Sequence, residues 1–123
     1  MIIGTGIDIV EIARIRNAWA RFGRRFARRI VGEADLPAND TATCQFLAGR
    51  FAACEAAVKA LGTGFCNGIT MSTIHIRKSQ SGAPMLNFSG KALDTARKLG
   101  VRHCHLSITH ERSFAIAMVI LEK

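Results

Sequence analysis

The sequence has no apolar stretch long enough to cross a bilayer. Its longest unbroken run, Phe114 to Leu121, falls far short of the roughly 20 residues a spanning helix needs. It also lacks the marks of a secretory leader: Met1-Ile2-Ile3-Gly4 carries no basic residue, and Asp8 interrupts the apolar opening. These absences predict a cytoplasmic chain with no membrane partner. The four cysteines, Cys44, Cys54, Cys66 and Cys104, form no C-x-x-C pair, so they read as reduced, mostly buried thiols. There is no internal repeat and no low-complexity tract. Acidic residues are scarce, with nine Asp and Glu against seventeen Lys and Arg for a net charge of +8. That imbalance implies an anionic partner, whether nucleic acid, an acidic protein or a phosphorylated small molecule.

With 123 residues the chain is bounded to one domain spanning 1–123. Hydrophobic residues make up 49% of it, enough apolar surface to offset chain entropy and exclude wholesale disorder. Ile2 to Val10 alternates as a strand, with Ile3, Thr5, Ile7 and Ile9 on one face and Gly4, Gly6, Asp8 and Val10 on the other. Asp8 is therefore a lone carboxylate whose same-face neighbours are glycines, which leave room for close approach. From Glu11 to Ile30, the set Ile12, Ile15, Trp19, Phe22, Phe26 and Ile30 steps by three or four, predicting one amphipathic helix. A loop over Gly32 to Thr43 follows, with Asp40 or Thr41 placed to cap a second helix that runs from Ala42 to Leu61 and stops at Gly62. A strand over Ile69 to Arg77 turns at Gln80 to Pro84 and returns over Met85 to Phe88. Lys91 to Leu99 forms a short helix ended by Gly100, and strands over His103 to Ile108 and Phe114 to Leu121 close the chain. The order β-α-α-β-β-α-β-β predicts an α+β domain, a mainly antiparallel sheet packed with a long helix.

Asp8 and Glu55 can supply two hard oxygen ligands to one divalent cation, and Mg²⁺ suits such a pair because it keeps waters and substrate phosphates as its other ligands. The same spacing also fits a plainer arrangement, in which Asp8 caps a turn or pairs with an arginine and Glu55 pairs with Lys59 one turn on. Near a metal site, Lys59 has the charge to neutralise a substrate phosphate. The glycines of Leu61-Gly62-Thr63-Gly64 follow a helix C-terminus, the wrong end for an anion cradle, and read as chain termination. His103-Cys104-His105 puts two imidazoles on one strand face without a second ligand pair for zinc. His110 sits in a hairpin beside Glu111, where it is either solvated or bonded to a phosphate oxygen. Seven arginines, Arg14, Arg16, Arg21, Arg24, Arg25, Arg28 and Arg29, exceed what solubility needs and suggest docking of an acidic partner. Nucleic-acid binding is a competing reading, but Trp19, Phe22 and Phe26 fall on the apolar face rather than forming an exposed stacking platform.

Three segments carry a resemblance. Gly6-Ile7-Asp8-Ile9-Val10-Glu11-Ile12-Ala13-Arg14-Ile15, Phe51-Ala52-Ala53-Cys54-Glu55-Ala56-Ala57-Val58-Lys59-Ala60-Leu61-Gly62-Thr63-Gly64 and Ser107-Ile108-Thr109-His110-Glu111 resemble the bacterial holo-acyl-carrier-protein synthases, nearly end to end. The resemblance implies a 4'-phosphopantetheinyl transferase fold and a homotrimer with each coenzyme pocket at a junction between subunits. It also implies Mg²⁺-dependent transfer of phosphopantetheine from coenzyme A to a serine of apo acyl carrier protein, serving fatty acid biosynthesis, with no nucleic-acid partner. By the same resemblance Asp8 and Glu55 hold Mg²⁺, Glu55 and Lys59 are catalytic, and Lys59 contacts the diphosphate. Arg50, Phe51 and His110 fall on coenzyme-contacting positions, and Arg14, Arg21, Arg24 and Arg25 on the surface that docks the carrier protein. Two departures lower the local charge: Cys54 stands where the family usually has lysine, and Gly82-Ala83-Pro84 replaces Gly-Lys-Pro. Activity is expected to survive because Asp8, Glu55 and Lys59 are retained.

Overall fold

The structure, a computed structural model, describes residues 1–123. Its elements run β1 (Ile2–Glu11), α1 (Ile12–Phe22), α2 (Arg24–Val31), α3 (Asp40–Leu61), β2 (Ile74–Lys78), β3 (Pro84–Phe88), α4 (Gly90–Leu99), β4 (His103–His110) and β5 (Phe114–Glu122). All strand pairings are antiparallel, as the α+β reading predicts, but the strands form two sheets. One is three-stranded in the order β1-β5-β4, and the other is the β2-β3 hairpin.

The long helix α3 lies across β1 and β5, and small residues let it come close. Ala52, Ala53, Ala56, Ala57 and Ala60 on the helix are buried against Ala115, Ala117 and Val119 of β5. On β1 the contact is backbone to backbone. A Cβ at Gly4 would sit 2.0 Å from the Ala60 carbonyl oxygen, and one at Gly6 would sit 1.9 Å from that of Ala56. The predicted two faces of β1 are therefore real: Gly6 and Val10 are buried, whereas Ile7 and Ile9 remain 62% and 59% exposed. Met118 of β5 joins them on that outer face.

Four local expectations are corrected. The helix expected over Glu11 to Ile30 is two, because Gly23 takes φ 56°, ψ −135°, a conformation open essentially only to glycine. Phe22, the last residue before the break, is 49% exposed rather than on the buried face. Helix α3 is capped by neither Asp40 nor Thr41. Instead the Ala42 N–H donates to Asn39 Oδ1 at 2.8 Å, while Asp40 accepts the Trp19 indole N–H at 3.2 Å and ties α1 to α3. Asn39→Ala is expected to cost about 1 kcal/mol, read as a lower urea midpoint at unchanged slope. The strand expected from Ile69 begins only at Ile74, after a 3₁₀ turn over Met71–Thr73. There Thr70 donates its N–H to Thr73 Oγ1, whose hydroxyl returns a bond to the Thr70 carbonyl at 2.6 Å. Last, the four free thiols are not mostly hidden: Cys44 and Cys54 are buried, Cys104 is half-buried and Cys66 is exposed.

Candidate active site

The site begins with two elements brought into register by the glycine contact. Gly6 places the β1 backbone against α3, and two residues on, Asp8 leaves the strand on the same face. The α3 residues Phe51, Glu55 and Lys59, one helical turn apart, share a cavity of about 540 Å³ with Asp8, Arg14 and Phe114. Val10, Ile15, Ala18 and Phe26 give this cavity an apolar lining. Phe114 is not a residue the sequence singles out. It arrives through strand register, standing opposite Glu11 across the β1–β5 ladder, and no local motif marks it.

Lys59 is the hub of the polar side. Its ammonium donates to Asp8 Oδ1 at 3.0 Å and to the Ile7 carbonyl at 3.0 Å. The plainer arrangement is thus only half met: Asp8 is paired, with a lysine rather than an arginine, and Lys59 forms its ion pair with Asp8 rather than with Glu55. The Asp8 side chain keeps 16% of its surface exposed, against 52% for Lys59. Burial, and then the neighbouring Asp8 charge, push the Glu55 carboxyl above the ordinary range, with Lys59 opposing them. The cavity is lined by three carboxylates, Asp8, Glu11 and Glu55, against the Lys59 ammonium and the Arg14 guanidinium. Close to Lys59, the Asp8 and Glu55 pair, one of them partly desolvated, is an arrangement a divalent cation would relieve. Two hard carboxylate oxygens beside an open cavity fit Mg²⁺, which retains waters and takes phosphate oxygens for its remaining ligands. No group of three or more His, Cys, Asp or Glu side chains converges anywhere in the chain.

The remaining predicted residues lie elsewhere. Arg50 lines a separate cavity with Arg28, Arg29 and Arg77. His110 is exposed at the end of β4. Arg21 and Arg24 are exposed on α1 and α2, with the Arg21 guanidinium 5.2 Å above the Phe22 ring. Arg25 flanks a shallow depression with Phe22 and Phe26. Cys54 is 1% exposed and lines neither cavity. Burial pushes its thiol up to about 12, against the opposing Arg50 charge, so it packs as a neutral core residue. His103 and His105 share an exposed strand face, and His105 pairs with Glu122 at 3.0 Å.

Known proteins resemble the chain in both sequence and fold. Residues 4–119 match the model of the 4'-phosphopantetheinyl transferase superfamily. The chain is 51% identical to a holo-[acyl-carrier-protein] synthase of Desulfovibrio desulfuricans, over 99% of this chain and 98% of the relative. It is 52% identical to the synthase of Maridesulfovibrio salexigens over the full length of both. Among solved structures, the Neisseria meningitidis holo-[acyl-carrier-protein] synthase superposes with a TM-score of 0.82 at 33% identity, covering 100% of both chains. The Helicobacter pylori synthase, solved in complex with coenzyme A, gives 0.78 at 32% identity over 96% of this chain and 99% of that one. An end-to-end match in sequence and fold, with the strand aspartate and helix glutamate of the recognised motifs in one cavity, places the chain in the 4'-phosphopantetheinyl transferase superfamily, within its holo-[acyl-carrier-protein] synthase family.

Proposed function

We propose that the chain transfers the 4'-phosphopantetheine arm of coenzyme A to a serine hydroxyl of apo acyl carrier protein, releasing adenosine 3',5'-bisphosphate. The observation that carries this reading is the meeting of Asp8, Glu55 and Lys59 in one cavity beside strongly basic helices. Asp8 and Glu55 would hold Mg²⁺, which when bound offsets the charge of the donor diphosphate.

A serine hydroxyl is a poor nucleophile at neutral pH, so the reaction needs a base. Glu55, whose proton affinity is already raised by burial and by Asp8, takes the serine proton, either directly or through a water it holds. The serine oxygen forms a bond to the phosphorus that carries the pantetheine arm. The bond from that phosphorus to the bridging oxygen breaks, and the nucleotide leaves with the electron pair. Lys59, anchored by Asp8 and the Ile7 carbonyl, neutralises charge on the leaving phosphate. Phe51, Phe26 and Phe114 supply apolar wall against which the arm can lie out of water.

Arg14, Arg21, Arg24 and Arg25 would steer the acidic carrier protein towards the cavity mouth. Arg50 and His110 lie outside the carboxylate cavity, in keeping with a coenzyme site completed by a neighbouring copy. The exposed apolar sheet face of Ile7, Ile9 and Met118 suits the homotrimer this requires. We place the activity in the cytoplasm, in the supply of carrier protein for fatty acid biosynthesis.

The test is mass spectrometry of apo carrier protein after incubation with this chain, coenzyme A and Mg²⁺. A mass gain of one phosphopantetheine on serine is expected, and chelation of the divalent cation should abolish it. An unmodified carrier protein in the presence of Mg²⁺ would overturn the reading. Salt-steep binding to DNA without affinity for coenzyme A would then favour a nucleic-acid partner.

A further inference from the structure

Glu111 closes the Ser107 to Glu111 segment, lines neither cavity and forms no ion pair. Its carboxylate turns onto its own hairpin instead. Oε1 accepts the Ser113 N–H at 2.8 Å and the Phe114 N–H at 3.1 Å, while the Glu111 N–H donates to the Phe114 carbonyl at 2.9 Å. One charged oxygen thus holds two successive amides in the turn between β4 and β5, and such charge-assisted bonds are stronger than neutral ones. The same turn meets α1. The Ser113 carbonyl accepts the Ile12 N–H at 2.9 Å, and Ile12 is the first residue of a helix whose N-cap, Glu11, makes no side-chain capping bond. An amide at a helix start needs an acceptor from outside the helix, and the hairpin provides it. Two walls of the carboxylate cavity therefore join at this turn: Phe114 from β5, and Arg14 and Ile15 from the first turn of α1.

We infer that Glu111 is a positioning residue for the pantetheine arm: its carboxylate clasps the β4–β5 turn so that the Phe114 ring and the start of α1 stand at fixed places in the cavity wall. Phe114 is 39% exposed, so core packing does not hold its ring, and the bonds from Glu111 to both its N–H and its carbonyl do. Glu111 acts only through these neighbours and touches no reacting group. The clasp rests on its own hydrogen bonds. That the wall it steadies receives the arm of coenzyme A rests on the transferase reading.

Steady-state transfer to apo carrier protein with coenzyme A varied, combined with amide hydrogen exchange on the full chain, provides the test. Glu111→Ala is expected to raise KM for coenzyme A about tenfold with kcat within about twofold of wild type, and to speed exchange at the Ser113 and Phe114 amides. Glu111→Gln keeps a carbonyl oxygen for both amides and should give intermediate values of KM and exchange, which a misfolded protein would not. Phe114→Ala should raise KM by a similar factor, and adding Glu111→Ala to it should change KM no further, because the clasp acts through that ring. An unchanged KM in Glu111→Ala, a loss confined to kcat, or losses that multiply in the double variant would each overturn the inference, as would wild-type exchange at Ser113 and Phe114 in Glu111→Ala. Absence of transfer by the wild-type chain, with exchange still accelerated in Glu111→Ala, would instead sink the transferase reading and leave the clasp standing.

Discussion

Glu55→Gln is expected to lower the rate of phosphopantetheine transfer about 10³-fold, a loss typical of a removed general base, while making the unliganded protein more stable. Glutamine keeps the size of the side chain and removes its basicity and its charge. The stability gain follows from the direction of the Glu55 shift, which is upward through burial and the Asp8 charge. A carboxyl whose folded value lies above its unfolded one contributes stability that is fully present below the unfolded value and lost as pH rises through the folded value. As pH rises through that folded value the stability is lost, and glutamine, which never ionises, escapes the loss. Melting temperatures should therefore favour Glu55→Gln at neutral pH and converge with wild type below about pH 4, where glutamate is protonated in both states. Single-turnover transfer with Mg²⁺ measures the other half. Turnover near the wild-type rate would remove Glu55 from the chemistry, and a variant that lost stability along with activity would point to misfolding.

Gly6→Ala should be the most destabilising single-methyl change in the chain apart from its twin at Gly4. A Cβ at Gly6 would stand 1.9 Å from the Ala56 carbonyl oxygen and 2.9 Å from the Ala60 nitrogen. These are helix backbone atoms, so no side chain can rotate away, and α3 must shift bodily off β1. Overpacking of this kind costs about 3 kcal/mol or more, a large part of the roughly 5–15 kcal/mol that holds a domain folded. Denaturant midpoints would measure it, with Thr5→Ala on the exposed face as the control, expected within about 0.5 kcal/mol of wild type. A Gly6→Ala protein with the wild-type midpoint would show that strand and helix do not touch there. Because the same contact sets how far Asp8 stands from Glu55, the proposed Mg²⁺ site should also be weaker in surviving folded protein.

The parts of the fold legible in the sequence are those whose cause is local. Alternation marked β1 and its glycine-lined face, and Gly62 and Gly100 marked helix ends. The break at Gly23 escaped because apolar spacing from Ile12 to Ile30 continues through it, and a lone glycine can sit within a helix. The Asn39 cap escaped because Asp40 and Thr41 beside it are equally good capping residues, and Asp40 is drawn off by Trp19, 21 residues away. Asp8, Glu55 and Lys59 were recognisable as a set only through a resemblance, since spacing alone left their pairing open. The Arg50 cleft is assembled from α2, α3 and β2 and leaves no trace in any one segment.

The three-stranded sheet seats its last strand in the middle, with β5 between β1 and β4. The Lys123 N–H donates to the Met1 carbonyl at 2.9 Å, and Asp8 faces Ala117 across the ladder. Within this chain, the strand bearing Asp8 thus waits through more than a hundred residues before its ladder partner is made. Such pairing over long sequence separation makes for slow, post-translational maturation, so a nascent chain arrested before β5 would carry both Asp8 and Glu55 and still have no closed sheet to hold them in place.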